Sequence, residues 1–205
     1  MELVGERVLR RAMRLLTIRE QPTQSDLIFV LAGRHSRKEY GLKLFHERWA
    51  PRLLLSTARF DIRNFAELDL PSSTDIAAVC TTVPPKQRYF FVAVDRRGWA
   101  VEQFRKRYWG TLSEIAALAK WLERHREISS ILVVSSGFHM ARVRMCCEAM
   151  LPSLVCRKYV AVPEDVLADS GRTEDRLRKF VAAEFFKIPL YALLLLLRKK
   201  QLECS

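Results

Sequence analysis

Residues 131–145 read ILVVSSGFHMARVRM, and this stretch decides the fold. Ile131-Leu132-Val133-Val134 is an unbroken apolar run, the pattern of a parallel strand covered on both faces. Ser135-Ser136-Gly137 breaks the run, and from Phe138 onward Met140, Val143 and Cys147 return at helical spacing. A strand that enters a helix through small residues leaves backbone N–H groups free at the helix start, where an anion can be held. His139 and Arg142 stand three apart and so share a face over that mouth.

Working outward, the same alternation recurs. Residues 26–31 (DLIFVL) form a first buried strand, ended by Ala32-Gly33-Arg34. Ser36 caps a helix over 37–49 with Tyr40, Leu44 and Phe45 on one face, and Pro51 stops it. Residues 52–56 (RLLLS) are a second strand, followed by a polar loop over 59–71 and a short helix over 72–83 that Pro84-Pro85 ends. Residues 89–94 (YFFVAV) make a third strand, ending at Asp95. The run 96–109 interleaves aromatic and basic side chains. Thr111-Leu112-Ser113-Glu114 matches the capping box that opens a helix to about residue 125. A fifth strand spans 155–162, and Thr173 opens a long last helix to residue 200. Strands alternating with helices predict a three-layer α/β domain on a mostly parallel sheet of about five strands, with right-handed crossovers.

The bulk chemistry narrows the function classes. A chain of 205 residues with 49% hydrophobic and 28% charged residues is globular. A net charge of +12 points to an anionic partner: a phosphate-bearing small molecule, an acidic membrane surface or nucleic acid. Five cysteines without metal-ligand spacing fit a reducing compartment. Residues 1–24 show no secretory signal, so a cytoplasmic or peripheral inner-membrane location is expected. They form an amphipathic basic helix, read either as a membrane-surface element or as one packed on the body of the domain. The domain proper covers 25–187 and an apolar, then basic, tail covers 188–205.

In an open parallel sheet, ligands bind beyond the carboxyl ends of the strands. Those ends carry Gly33-Arg34, Ser56, Asp95 and Ser135-Ser136. Gly33 allows close backbone approach, the serines offer hydroxyl groups, and Arg34, Arg37 and Arg142 suit a phosphate or carboxylate. His139 is the candidate general acid or base. The chain lacks GxGxxG, Walker-type, HExxH and GxSxG motifs.

The pieces DLIFVLAG with Arg37, APRLLLS with Ser56, GTLSE with Thr111 and Glu114, and VVSSGFHMAR with Ser135, His139 and Arg142 occur in this order. On them the chain resembles the YdcF/SanA/ElyC-like family over about residues 26–184. It departs from the family pattern at Ala32-Gly33-Arg34, Thr57-Ala58 and Gly110. The resemblance implies a Rossmann-like fold and a role in envelope or cell-wall biogenesis. In one branch it implies S-adenosylmethionine binding. It also implies a ligand contact at Thr111 and a catalytic role for Glu114, which would orient His139 or the ligand.

Three functions compete. The first is an enzyme, or a former enzyme that still binds, whose ligand is a phosphate-bearing or nucleotide-like molecule connected with envelope synthesis. The second is a non-catalytic binding or scaffold protein at the membrane. The third, ranked last, is nucleic-acid binding through the aromatic and basic run. For the tail, residues 180–197 are strongly apolar but contain Glu184, Lys187 and Pro189, so they are expected to start on the domain and then project leucines toward a membrane interface or a partner.

Overall fold

A computed structural model describes residues 16–58, 82–106, 108–163 and 174–203, with Arg11, Arg14, Phe65, Leu68 and Ala78; for 174–178, 180 and 198–203 it describes the helix but not the side chains. The expected loop over 59–71, most of the helix over 72–83 and most of the N-terminal helix lie outside the described residues.

Six strands form one sheet: β1 (Leu27–Val30), β2 (Arg52–Thr57), β3 (Phe90–Asp95), β4 (Gly98–Gln103), β5 (Ser130–Ser136) and β6 (Cys156–Val162). Their order is β4-β3-β2-β1-β5-β6. The apolar runs read from the sequence become β1, β2 and β5, which pair in parallel, as do β5 and β6. Only β3 is reversed, antiparallel to both β2 and β4. The sheet is therefore mostly parallel, with one strand more than expected.

The extra strand comes from the aromatic and basic run. Asp95 pairs with Gly98, and its Oδ1 accepts from the backbone N–H of Arg97 at 2.7 Å and of Gly98 at 3.0 Å. An Asp side chain that closes its own turn, with Gly98 at φ +152°, makes a tight hairpin. Along β4 and beyond it, Trp99 packs on one core cluster and Phe104 stacks on Phe91 at 4.5 Å between centroids. Within the run, β4 itself (GWAVEQ) carries no basic residue; Trp99 and Phe104 pack on opposite faces of the sheet, and the basic residues fall in the turn and after the strand.

Alternation along the strands divides the core in two. Ile28, Val30, Leu53, Leu55, Leu132 and Val134 face α1 (His35–His46). Leu27, Phe29, Leu54, Ile131 and Val133 face α2 (Thr111–Arg124) and α3 (Gly137–Met150). Helix α4 (Glu174–Glu203) packs outside α3, with Tyr191 buried among the same cluster. The result is the three-layer, Rossmann-like α/β fold. Gly41 lets α1 lie close on the sheet, since a Cβ there would come within 2.3 Å of Val30.

Described residues near both ends of the domain join this body. Leu16 is buried, Ile18 packs on the core, and Glu20 N–H donates to the Tyr159 carbonyl at 3.0 Å, beside edge strand β6. At the other end α4 shows no break at residue 188 and continues through Pro189. No described helix is long and apolar enough to cross a membrane.

Candidate functional site

The chain runs from β1 to β2 on one side and returns to β5 on the other, so β1 and β5 are neighbours at the point where strand order reverses. A crevice opens beyond the carboxyl ends of two such strands because their connections leave in opposite directions. Here it is a cleft of about 330 Å³ bounded by Ala32 and Gly33 after β1, Ser135 at the end of β5, His139 and Arg142 on α3, Thr111 and Glu114 on α2, and Lys187 and Tyr191 on α4.

Arg37 is folded into this cleft. Its Nε donates to Ser136 Oγ at 2.9 Å and its Nη1 to the Ala32 carbonyl at 2.6 Å. Gly33, at φ +145°, makes room for it: a Cβ there would sit 2.6 Å from Arg37 Nη1. Lys38 is fully buried beside it, its Nζ donating to the Gly33 carbonyl at 2.8 Å and lying 4.9 Å from the centre of the Phe65 ring.

Glu114 ties three elements together. Its Oε1 accepts from Ala32 N–H at 2.7 Å and from Ser56 Oγ at 2.6 Å, so one carboxylate joins the ends of β1 and β2 to α2. The capping box expected at Thr111 does not form. Gly110 occupies the N-cap position at φ +44°, and Ser113 Oγ exchanges hydrogen bonds with Tyr108 instead. Thr111 Oγ1 accepts from Arg142.

The fourth wall is an ion network that the sequence reading missed. Glu184, only 1% exposed, holds Arg142 through Nε at 2.7 Å and Nη2 at 3.2 Å. The same carboxylate takes Lys187 Nζ at 2.9 Å and faces His139 Nδ1 at 2.9 Å. Arg142 also lies 4.9 Å from the centre of the Tyr191 ring. A buried carboxylate requires such partners. The signal was present: Glu184 and Lys187 stand i, i+3 in the otherwise apolar stretch 180–197, where an unpaired charge would be costly.

Electrostatics assign the protonation states. Burial, together with the charges of Arg37 and Arg142, lowers the His139 pKa to about 4 against the pull of Glu184, so the ring is neutral at pH 7. Burial alone would raise the Glu184 pKa, but hydrogen bonds from His139 and Arg142, with the Arg142 charge, hold it well below the usual carboxylate range. His139 Nδ1 lies 2.9 Å from the Glu184 carboxylate and 3.1 Å from Arg142 Nη2; in the tautomer that donates to Glu184, the proton is on Nδ1 and the lone pair on Nε2. A neutral histidine oriented by a buried carboxylate is a competent proton acceptor.

Two observations bear on a ligand. Arg37, Arg142 and Lys187 line the cleft together with Glu114, and Glu184 pairs with Arg142 and Lys187. The hydroxyl of Ser135, fully buried and on the cleft wall, is the only buried side-chain polar atom among the described residues without a hydrogen-bond partner. Such an orphan costs stability unless something fills its bond.

Not every expected residue converges here. Asp95 does not: β3 is reversed, so Asp95 pairs with Arg52 at the start of β2, at the opposite end of the sheet, and closes the hairpin. Ser56 is buried as the donor to Glu114 and does not line the cleft. Ser136 is taken by Arg37, and Arg34 stays half-buried at the N-cap of α1, outside the cleft wall. The helix start itself is covered by Thr17, whose Cγ2 would lie 2.9 Å from a Cβ on Gly137. Cys146 and Cys147 are fully buried, and burial pushes the Cys146 thiol up to about 12 and the Cys147 thiol higher still, so both stay protonated and unreactive. No group of residues able to hold a metal ion occurs among the described residues.

The residues present do not fit S-adenosylmethionine. Arg37, Arg142 and Lys187 would oppose its sulfonium and ammonium groups. Among the described residues, strand β2 ends in Ser56-Thr57 without a carboxylate to receive ribose hydroxyls, and Glu114 is already engaged. No family model, no curated protein and no solved structure matches the chain.

Proposed function

We propose that this cleft binds a phosphate-bearing small molecule, in a protein that serves cell-envelope biogenesis. The observation that carries the reading is the orphaned Ser135 hydroxyl inside a cleft lined by Arg37, Arg142 and Lys187. Ser135 donates to a phosphoryl oxygen, Lys187 swings from Glu184 to the anion at the mouth, and Arg37 and Arg142 supply the deeper positive field. Where the ligand is turned over, His139 takes the proton at Nε2 while Glu184 holds the ring. The envelope role draws on the resemblance to the YdcF/SanA/ElyC-like family.

Calorimetric titration with inorganic phosphate and with nucleoside monophosphates tests this. Ser135→Ala and Lys187→Met should each weaken binding about tenfold, the loss of one charge-assisted hydrogen bond. Arg142→Ala is a poor probe, because it strands Glu184 and reports on stability. Absence of binding at millimolar ligand would reject the reading.

A second reading, non-catalytic association with an acidic membrane surface, is favoured by the outer face of α4. Phe186, Leu193 and Leu196 are 78%, 53% and 62% exposed there, and Arg198-Lys199-Lys200 follows in the sequence. Co-sedimentation with phosphatidylglycerol vesicles but not with phosphatidylcholine vesicles would support it.

A further inference from the structure

Beside the polar cleft lies a second hollow, of about 400 Å³, whose walls include Tyr108, Trp109, Leu112, Leu190, Leu194 and Leu197. The two are built from the same two pieces of chain. Around the start of α2, Gly110 and Thr111 face the cleft while Trp109 and Leu112 face the hollow. Along α4, Lys187 and Tyr191 face the cleft while Leu190 and Leu194 face the hollow. Tyr191 is the partition between them: its hydroxyl donates to the Trp109 carbonyl at 3.2 Å, and its ring lies beside the Arg142 guanidinium. From Lys187 to Leu194 the helix rises about 10 Å. The hollow opens outward, with Trp109 68% and Leu197 52% exposed. Apolar walls left in water favour an apolar occupant, and the cation-rich cleft next to them favours an anion.

We infer that the ligand is an anionic amphiphile, with a phosphate head in the cleft and a single alkyl chain in the hollow beyond Tyr191. This rests on the phosphate reading of the cleft and adds the chain. The head meets Ser135 and Lys187. The chain passes Tyr191 and lies against Leu190, Leu194 and Trp109. Neither half explains the other: the cleft mixes Leu31, Val143 and Tyr191 with charged and hydroxyl groups, and the hollow has no charged side chain for a head.

The test is calorimetric titration of the full chain with inorganic phosphate, butyl phosphate, octyl phosphate and dodecyl phosphate, each below its micelle concentration. Octyl glucoside serves as a chain without the anion. Affinity should rise roughly fourfold for each added methylene until the hollow is full, the increment for burying one CH₂. Octyl glucoside should bind far more weakly than octyl phosphate. Leu190→Glu and Leu197→Glu change partly exposed residues, so circular dichroism should stay unchanged while the ratio of dodecyl to butyl phosphate affinity collapses toward one. Affinity that is independent of chain length, with inorganic phosphate still bound, overturns the amphiphile and leaves the phosphate reading standing. Failure of every phosphate ligand rejects both. A chain-length series that survives both leucine variants puts the chain elsewhere and also overturns the inference.

Discussion

Replacing Glu184 by Gln keeps the side chain's shape and removes one charge. In the folded protein that carboxylate is 1% exposed and receives Arg142, Lys187 and His139 within 3.2 Å, while Arg142 itself is only 8% exposed. Removing one member of a buried ion pair costs about 3–5 kcal/mol, because the remaining charge stays buried without compensation. Glu184→Gln should fall near the lower end, since its carbonyl oxygen still accepts from Arg142, and Glu184→Ala near the upper end. Total stability of about 5–15 kcal/mol makes either loss large. With a urea dependence of about 2–3 kcal/mol/M, the unfolding midpoint should drop by roughly 1–1.5 M in Glu184→Gln. Urea unfolding at pH 7, followed by far-ultraviolet circular dichroism and by tryptophan fluorescence, measures it. A drop below about 0.3 M in both variants would mean that the network is solvated, and would refute the assignment of Glu184 as its anchor.

The same network predicts an acid limb. His139 stays neutral in the fold down to pH about 4 but protonates near 6.5 in the unfolded chain, so the unfolded state binds more protons in that window. Stability should fall as pH drops from 6.5 toward 4, by up to about 3 kcal/mol, and Glu184 adds a further loss below its ordinary value of 4.5. His139→Gln should abolish the first window, and parallel curves for the two proteins between pH 7 and pH 5 would contradict it. Ser135→Ala should leave stability unchanged or raise it by about 1 kcal/mol, since it removes an orphaned hydroxyl, while phosphate binding weakens; thermal melts beside titrations separate the two effects. Gly33→Ala should cost about 1–2 kcal/mol and displace Arg37, because it pairs a left-handed backbone with a Cβ 2.6 Å from the guanidinium; an unchanged melting temperature would refute this.

The fold class and the position of the cleft were legible in one dimension because their signals are local. Apolar runs over 26–31, 52–56 and 131–134 mark strands covered on both faces, and Gly33, Ser56 and Ser135-Ser136 mark where each stops. Since β1 and β5 are such strands, the residues at their ends met as expected, with Gly33, Arg37, Ser135, His139 and Arg142 in or beside one cleft. Strand direction is not local. Whether β3 runs with or against β2 depends on how the long connection between them returns, and that reversal carried Asp95 to the far end of the sheet. The Asp95–Gly98 spacing did hold the hairpin signal. Tertiary structure alone also decided which partner each buried charge takes. Glu114 meets Ser56, and Glu184 meets His139 and Arg142, across long stretches of chain, and no periodicity encodes such a pair. A carboxylate can be placed there only because several helices and strand ends close around it and supply the compensating donors that burial demands.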